Sequence, residues 1–294
     1  MLRQRPQNMS LIHRACAFMN RSKSARRMLR RLGLLTGAAD DGHISIKICR
    51  RGWEEAAQLA QRSRRPDPRT HVERVRDATL AVRNGAAVAT RDSVILSSPE
   101  YQFALLAGLL KHAVAHETLN VVDFGGSLGS MYFQFKRFAP RAAIRWNIVE
   151  LPEMVDCGKE FLESDELGFH GSLEECLRSE HPQVGILSGV LHFVSEPYPL
   201  LATFAASTCR GLIIDRVPLT DLQGDMAAAH MVSGTRFASD RSFPCWLFSS
   251  NVLKRYLERD WEVISQFPSL DSDEVADGVP VVFNGFLLER AGTR

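Results

Sequence analysis

The 294-residue chain predicts an α/β domain built on a mostly parallel sheet. Three observations lead there. Short β-branched runs alternate with amphipathic stretches between residues 119 and 215. The first run turns into a helix through a glycine-rich loop, VVDFGGSLGS at 121–130, and the second, IRWNIVE at 144–150, ends on a carboxylate. Parallel neighbours require a crossover above the sheet, so the alternation predicts helices on both faces. At 45% apolar and 24% charged residues the chain can bury one full core.

In chain order, residues 1–40 form a basic tail. Arg3, Arg5, Arg14, Arg21, Lys23, Arg26, Arg27, Arg30 and Arg31 precede the first acid, Asp40. Between them Leu11, Ile12, Ala15, Phe18, Met19, Met28, Leu29 and Leu32 recur at three- and four-residue steps, the pattern of a basic amphipathic helix or helix pair. Packing on the body, docking on an anionic membrane surface, binding nucleic acid and serving as a transit peptide all fit that pattern. Residues 41–117 read as a helical extension. It holds the polar stretch QRSRRPDPR at 61–69, a helix marked by Val72, Val75, Thr79 and Val82, an extended RDSVIL at 91–96 and an apolar helix over 101–116.

The body, 118–294, has strands at 119–124, 144–149, 168–170, 184–188 and 211–215, with helices near 130–138, 152–163, 172–179 and 196–207. Residues 216–248, with Pro218, Gly224, Gly234 and Pro244, are too long for a connector and read as a lid or acceptor-binding insertion. A helix over 251–258 and strands over 261–267 and 281–289 bring the strands to seven. The six cysteines form no C-x-x-C pair, which argues against a zinc site or disulfide framework and for a reducing cytoplasm. No apolar run reaches the roughly 20 residues of a spanning helix. The chain is expected to be soluble or peripheral at the inner face of a membrane.

The glycine turn carries the chemistry. Gly125, Gly126 and Gly129 let backbone approach a ligand, and Asp123 leads the turn. Glu150, ending the second strand, is placed to accept hydrogen bonds from ribose hydroxyls. A dinucleotide register fails because Phe124 stands where its first glycine belongs. The register D-x-G-x-x-x-G is instead similar to the first motif of S-adenosylmethionine methyltransferases, D/E-x-G-x-G-x-G. Ser127 takes the middle glycine's place, with Gly126 beside it expected to supply the lost freedom.

Together, DFGGSLGS at 123–130, WNIVELP at 146–152, LSGVLHF at 187–193, IIDRVPLTD at 213–221 and SFPCWLFS at 242–249 resemble a bacterial family of S-adenosylmethionine-dependent methyltransferases. That family is encoded among genes for lipopolysaccharide, capsule or exopolysaccharide synthesis. The resemblance runs from about Trp53 to the C-terminus and leaves the basic tail outside. It implies a class I, Rossmann-like fold: a seven-stranded, mostly parallel sheet with an N-terminal helical extension. It also implies S-adenosylmethionine as cofactor and O-methylation of a sugar in a small-molecule or lipid-linked glycan acceptor, by direct in-line transfer.

Residue by residue, the cofactor is expected at Asp123, Gly125, Gly126, Ser127, Gly129, Glu150 and Leu151, with Pro152 beside Leu151 against the adenine. Ser172 either caps a helix or touches the adenine edge. Ser188 and Gly189 lie where donor and acceptor meet. His192 is a candidate base, although the family often carries glutamine there, and Asp215 with Arg216 is a candidate acceptor-binding couple. Tyr132, Phe243 and Trp246 could stack on a ring or belong to the core. Alignment of the reactants would supply most of the catalysis, and no metal is required. An RNA methyltransferase is the alternative enzyme, disfavoured by the acidic body, and a non-catalytic scaffold in a polysaccharide assembly complex is the alternative of another class.

Overall fold

The computed structural model describes residues 43–61, 68–91, 94–233 and 241–292, so the basic tail expected at 1–40 lies outside the described residues. The chain opens with β1 (His43–Ile48), α1 (Trp53–Gln61), α2 (Pro68–Arg83), the hairpin β2 (Ala89–Arg91) and β3 (Val94–Leu96), and α3 (Phe103–Ala113). The alternating part follows as β4 (Leu119–Phe124), α4 (Ser130–Phe138), β5 (Ile144–Val149), α5 (Pro152–Phe161), β6 (Leu167–His170), α6 (Leu173–Glu180), β7 (Val184–Ser188), α7 (Pro197–Ala206) and β8 (Gly211–Thr220). Then come β9 (Met226–Ser233), β10 (Arg241–Ser249), α8 (Ser250–Leu257), β11 (Trp261–Pro268), β12 (Glu274–Ala276) and β13 (Val279–Arg290).

Strands β6, β5, β4, β7 and β8 lie parallel in that spatial order. β13 runs antiparallel beside β8, and β11 antiparallel beside β13. Both faces are covered, which is why the strands are near-continuous apolar runs. Val121, Trp146, Ile148 and Ile213 pack with Leu105 and Leu109 of α3 and Phe135 of α4. On the other face Val122, Leu187 and Ile214 pack with Cys176 of α6, Phe204 of α7 and Leu253 of α8. Each large side chain so buried contributes about 1.5–3 kcal/mol of transfer free energy.

The sheet is larger than the seven strands expected: it has eleven. The second half of β8 continues past the parallel sheet and, with β10, β9, β1, β12 and β13, closes a ring of six strands. Ile46, Ala228, Cys245, Leu247, Ala276 and Val281 fill it, with Phe193 packed against them. α1 covers the outside through Ala56 against Ala227 and Ala229.

Two expected segments are therefore differently built. Residues 216–248, expected as a lid or acceptor-binding insertion, run in their described part through β8, β9 and β10 with a turn at 221–225. In the extension 41–117 the extended segment expected at 91–96 is found as the hairpin β2–β3, and the strand not expected is β1, which belongs to the ring. Proline hid the strand β10. Pro244 faces Ala229 of β9, but β10 meets β8 only through Phe248 and Ser249, so Pro244 sits where the missing N–H costs no ladder bond.

One irregularity positions the site. Along β8 and β13, Ile214 pairs with Phe286 and Val217 with Asn284, which leaves Asp215 and Arg216 opposite Gly285 alone. This is a bulge, and Arg216 adopts a left-handed φ of 63°.

Candidate active site

Strand order reverses direction between β4 and β7, the place where open α/β sheets form a crevice at their carboxyl ends. The hydrogen bonds show the opening. Gly125 N–H donates to Val149 O at 2.9 Å, carrying β4 on with β5, while Gly189 N–H donates to Asp215 O at 3.0 Å, carrying β7 on with β8. Pairing between β4 and β7 stops at Asp123 with Ile186. Gly125 and Gly189, with φ of 73° and 72°, let the two strands part.

The cavity there is lined by Asp123, Gly125, Gly126, Ser127, Ser188, Gly189, Asp215 and Arg216 among others. Eight of the expected site residues thus come together. Asp123 is buried, and its Oδ2 accepts from Trp146 Nε1 at 3.0 Å. Burial raises its pKa to about 7 despite that bond. A Cβ on Gly126 would lie 2.6 Å from the Asp123 carboxyl, so the second glycine is required by close approach. The left-handed conformation expected at Gly126 is instead taken by Ser127 itself, with φ of 55°, and by Gly129, with φ of 90° at the start of α4.

Glu150 is next to this turn. Its two oxygens accept from Ser127 N–H at 3.0 Å and Leu151 N–H at 2.8 Å, and burial is the first cause of its raised pKa. Each oxygen keeps a second lone pair. Leu151 is 69% exposed, just before Pro152 opens α5. Ser172 caps α6, its Oγ accepting from Glu175 N–H at 3.2 Å.

At the other end, Asp215 Oδ1 accepts from Ser269 Oγ at 2.6 Å and from Arg216 N–H at 2.8 Å, and burial raises its pKa. Arg216 Nε donates to Asp271 Oδ2 at 2.7 Å.

His192 is not brought to the cavity lining. It is buried in the short 3-10 turn Leu191–Phe193, its Nδ1 has no partner, and burial together with His230 and Arg216 holds its pKa well below the usual imidazole value. Tyr132 is core, its hydroxyl donating to Glu166 Oε2 at 2.9 Å. Trp246 stacks on Trp53 with centroids 5.4 Å apart and donates from Nε1 to Ser195 O. Phe243 lies edge-on to Phe193.

The cavity has a second wall that sequence reasoning missed: Thr79, Thr90, Arg91, Glu100 and Gln102 from the extension. No spacing rule could have joined residues so far apart from the glycine turn. Among the described residues no three His, Cys, Asp or Glu side chains converge as metal ligands, and no helix is long and apolar enough to cross a membrane.

No protein-family model matches the chain, and no curated protein does. Among solved structures it is similar to an S-adenosylmethionine-dependent methyltransferase from Clostridium acetobutylicum, at 7% identity and a TM-score of 0.45 over 66% of this chain and 93% of that one. It is also similar to the N-terminal domain of EvdMO1 with S-adenosylhomocysteine bound, at 13% identity and a TM-score of 0.45 over 77% and 98%. A third likeness is to the Burkholderia thailandensis 1,6-didemethyltoxoflavin-N1-methyltransferase, at 14% identity and a TM-score of 0.38 over 78% and 92%. Likenesses at these TM-scores assign neither a cofactor nor a reaction to this chain.

Proposed function

We propose that the chain is an S-adenosylmethionine-dependent methyltransferase of the class I, Rossmann-like type, with β6, β5, β4, β7, β8, β13 and β11 as its seven-stranded sheet and the ring as an addition. The observation that carries this reading is the crevice between β4 and β7, bordered by the glycine turn whose Ser127 N–H helps fix the Glu150 carboxylate. The donor set fits the cofactor. Glu150 retains lone pairs for two ribose hydroxyls, and Asp123 at the head of the glycine turn lines the cleft.

When bound, S-adenosylmethionine supplies a methyl group already activated on a sulfonium. The chain's own part is to align and to exclude water. Ser188, Gly189, Asp215 and Arg216 border the acceptor end, and Arg216 and Asp215 hold an acceptor hydroxyl or sugar carboxylate. His192, buried and outside the cavity lining, serves packing rather than proton transfer. The substrate reading is O-methylation of a sugar in a surface-polysaccharide or glycolipid precursor, supported by the motif resemblance, with the basic tail holding the protein at an anionic inner leaflet.

Titration calorimetry tests the core of this proposal: S-adenosylhomocysteine should bind and NAD should not. Glu150→Ala should weaken S-adenosylhomocysteine by about 1.5–3 kcal/mol, the scale of lost charge-assisted hydrogen bonds. An unchanged affinity in the folded variant removes Glu150 from the site. Mass spectrometry of candidate glycan acceptors incubated with the cofactor tests the substrate class.

A further inference from the structure

We propose that one mouth of the ring of strands is the acceptor subsite, made by His230 of β9, Phe243 of β10 and Phe193, and that it takes a neutral pyranose. Phe243 meets the sugar's C–H face and His230 hydrogen-bonds a hydroxyl. Calling this ligand the acceptor rests on the methyltransferase reading above; its chemical class follows from the side chains. His230 pairs with Ile46 of β1 on one side and with Phe243 on the other, and two residues further on Ala228 faces Cys245. Side chains alternate between the two faces of a strand, so His230 and Phe243 point the same way as Ile46, Ala228 and Cys245, which fill the ring. An imidazole on that otherwise apolar inward face is the informative exception. Among the described residues its ring has no hydrogen-bond partner.

The aromatic contacts leave one surface open. Phe193 is enclosed, with the His192 ring 4.0 Å away and the His230 ring 5.9 Å away and nearly parallel, at 14°. Phe243, 5.7 Å from Phe193 and edge-on to it, is 40% exposed. One open phenyl beside hydrogen-bonding groups suits a ring with an apolar face and a hydroxylated rim, whereas a flat aromatic ligand calls for two parallel faces. His192, 6% exposed, has an Nδ1 that also lacks a partner. Buried polar atoms are nearly always paired, so unpaired imidazole nitrogens on both sides of Phe193 point to a polar ligand. The place adjoins the crevice, because the short turn Leu191–Phe193 follows directly on Gly189 of its lining. Arg216, another lining residue, is near enough to act on both imidazoles. Burial first, and Arg216 with it, lowers the His230 pKa to about 4 against the opposing pull of Asp271. Near pH 7 its ring therefore offers a lone pair as well as an N–H to a hydroxyl.

Saturation-transfer NMR tests this on the full chain in the presence of S-adenosylhomocysteine, with the methyl α-pyranosides of glucose, galactose, mannose and rhamnose as probes. At least one should bind, its C–H protons receiving the saturation. Phe243→Ala, at an exposed position, and His230→Leu should each weaken that probe at least about tenfold, while S-adenosylhomocysteine affinity stays within about twofold. His230→Gln, which keeps a hydrogen-bonding side chain, should recover most of what His230→Leu loses. Binding of none of the four, binding of catechol alone, or an affinity unchanged in folded Phe243→Ala and His230→Leu overturns the inference. Failure of S-adenosylhomocysteine to bind removes the methyltransferase reading instead, and a glycoside still lost in the two variants then leaves the sugar site standing without its acceptor role.

Discussion

Asp123→Asn should make the protein more stable at pH 8 while changing little at pH 4. The wild-type carboxyl is 2% exposed, has one hydrogen bond, from Trp146, and sits near the like charge of Glu150. Its pKa in the native state is about 7, against 3.8 as the ordinary value. A raised acid binds its proton more tightly when folded, so its contribution to stability is fully present below the unfolded pKa and is lost as pH rises through 4 to 7. At about 1.4 kcal/mol per unit, a shift of about three units makes the loss on the order of 4 kcal/mol by pH 8. Asn keeps an oxygen for Trp146 Nε1–H and has nothing to ionise. Urea denaturation of both proteins at intervals from pH 4 to pH 8 measures the difference directly. Wild type and variant should diverge by about 3–4 kcal/mol across that range. Parallel profiles would mean that Asp123 ionises in the native state without penalty, and the desolvation argument would be wrong.

Arg216→Ala should lower turnover at least tenfold while leaving S-adenosylhomocysteine affinity nearly intact, because the end of β8 borders the acceptor side; loss of cofactor binding would refute that placement. His192→Gln should keep most of its activity, and a fall beyond roughly a thousandfold would exceed much of the usual range for one general base and restore the imidazole to the chemistry. The protein should bind vesicles containing anionic lipid and release them at high salt, since each tail Lys or Arg contributes about 1 kcal/mol near such a surface. Equal vesicle binding after removal of residues 1–35 would defeat the anchor proposal.

The alternating strands and helices were legible because their signals are local. The strand expected at 144–149 is β5, Ile144–Val149, and the helix expected at 130–138 is α4, Ser130–Phe138. The glycine turn and Glu150 were legible for the same reason: strand, turn, helix and acid follow one another in a short stretch. The ring was not. β1 and β9 are nearly 200 residues apart and meet only because Ile46 faces His230, a pairing that no period in either segment announces. The second wall of the cavity failed to appear for a related reason. Arg91 lies in a three-residue strand whose importance comes from lining the same cavity as Gly126, and its partner Asp271 is a further 180 residues along the chain. His192 was misleading in another way. Its position after β7 suited a base, but its side chain is buried and does not line the cavity.

The sheet and the ring are joined by one strand, and the joint is at the site. Residues 211–215 of β8 run parallel to β7, while Leu219 and Thr220 pair with β10 in the ring. Passing from one curvature to the other needs a local bend, and the bulge at Asp215 and Arg216 supplies it. A left-handed φ at a residue with a Cβ costs on the order of 1 kcal/mol or more, so other bonds must hold it. They do: Arg216 N–H donates to Asp215 Oδ1 at 2.8 Å and to Ser269 Oγ at 2.9 Å, and its side chain is held by Asp271. Gly285 must be opposite, since a Cβ there would lie 2.3 Å from the Phe267 ring and 2.8 Å from Ile214 O. Gly189 is beside it, at a φ of 72° that favours glycine. The same backbone kink that lets the ring close therefore delivers a guanidinium and a carboxylate to the mouth of the crevice, which ties the added strands to the proposed acceptor end.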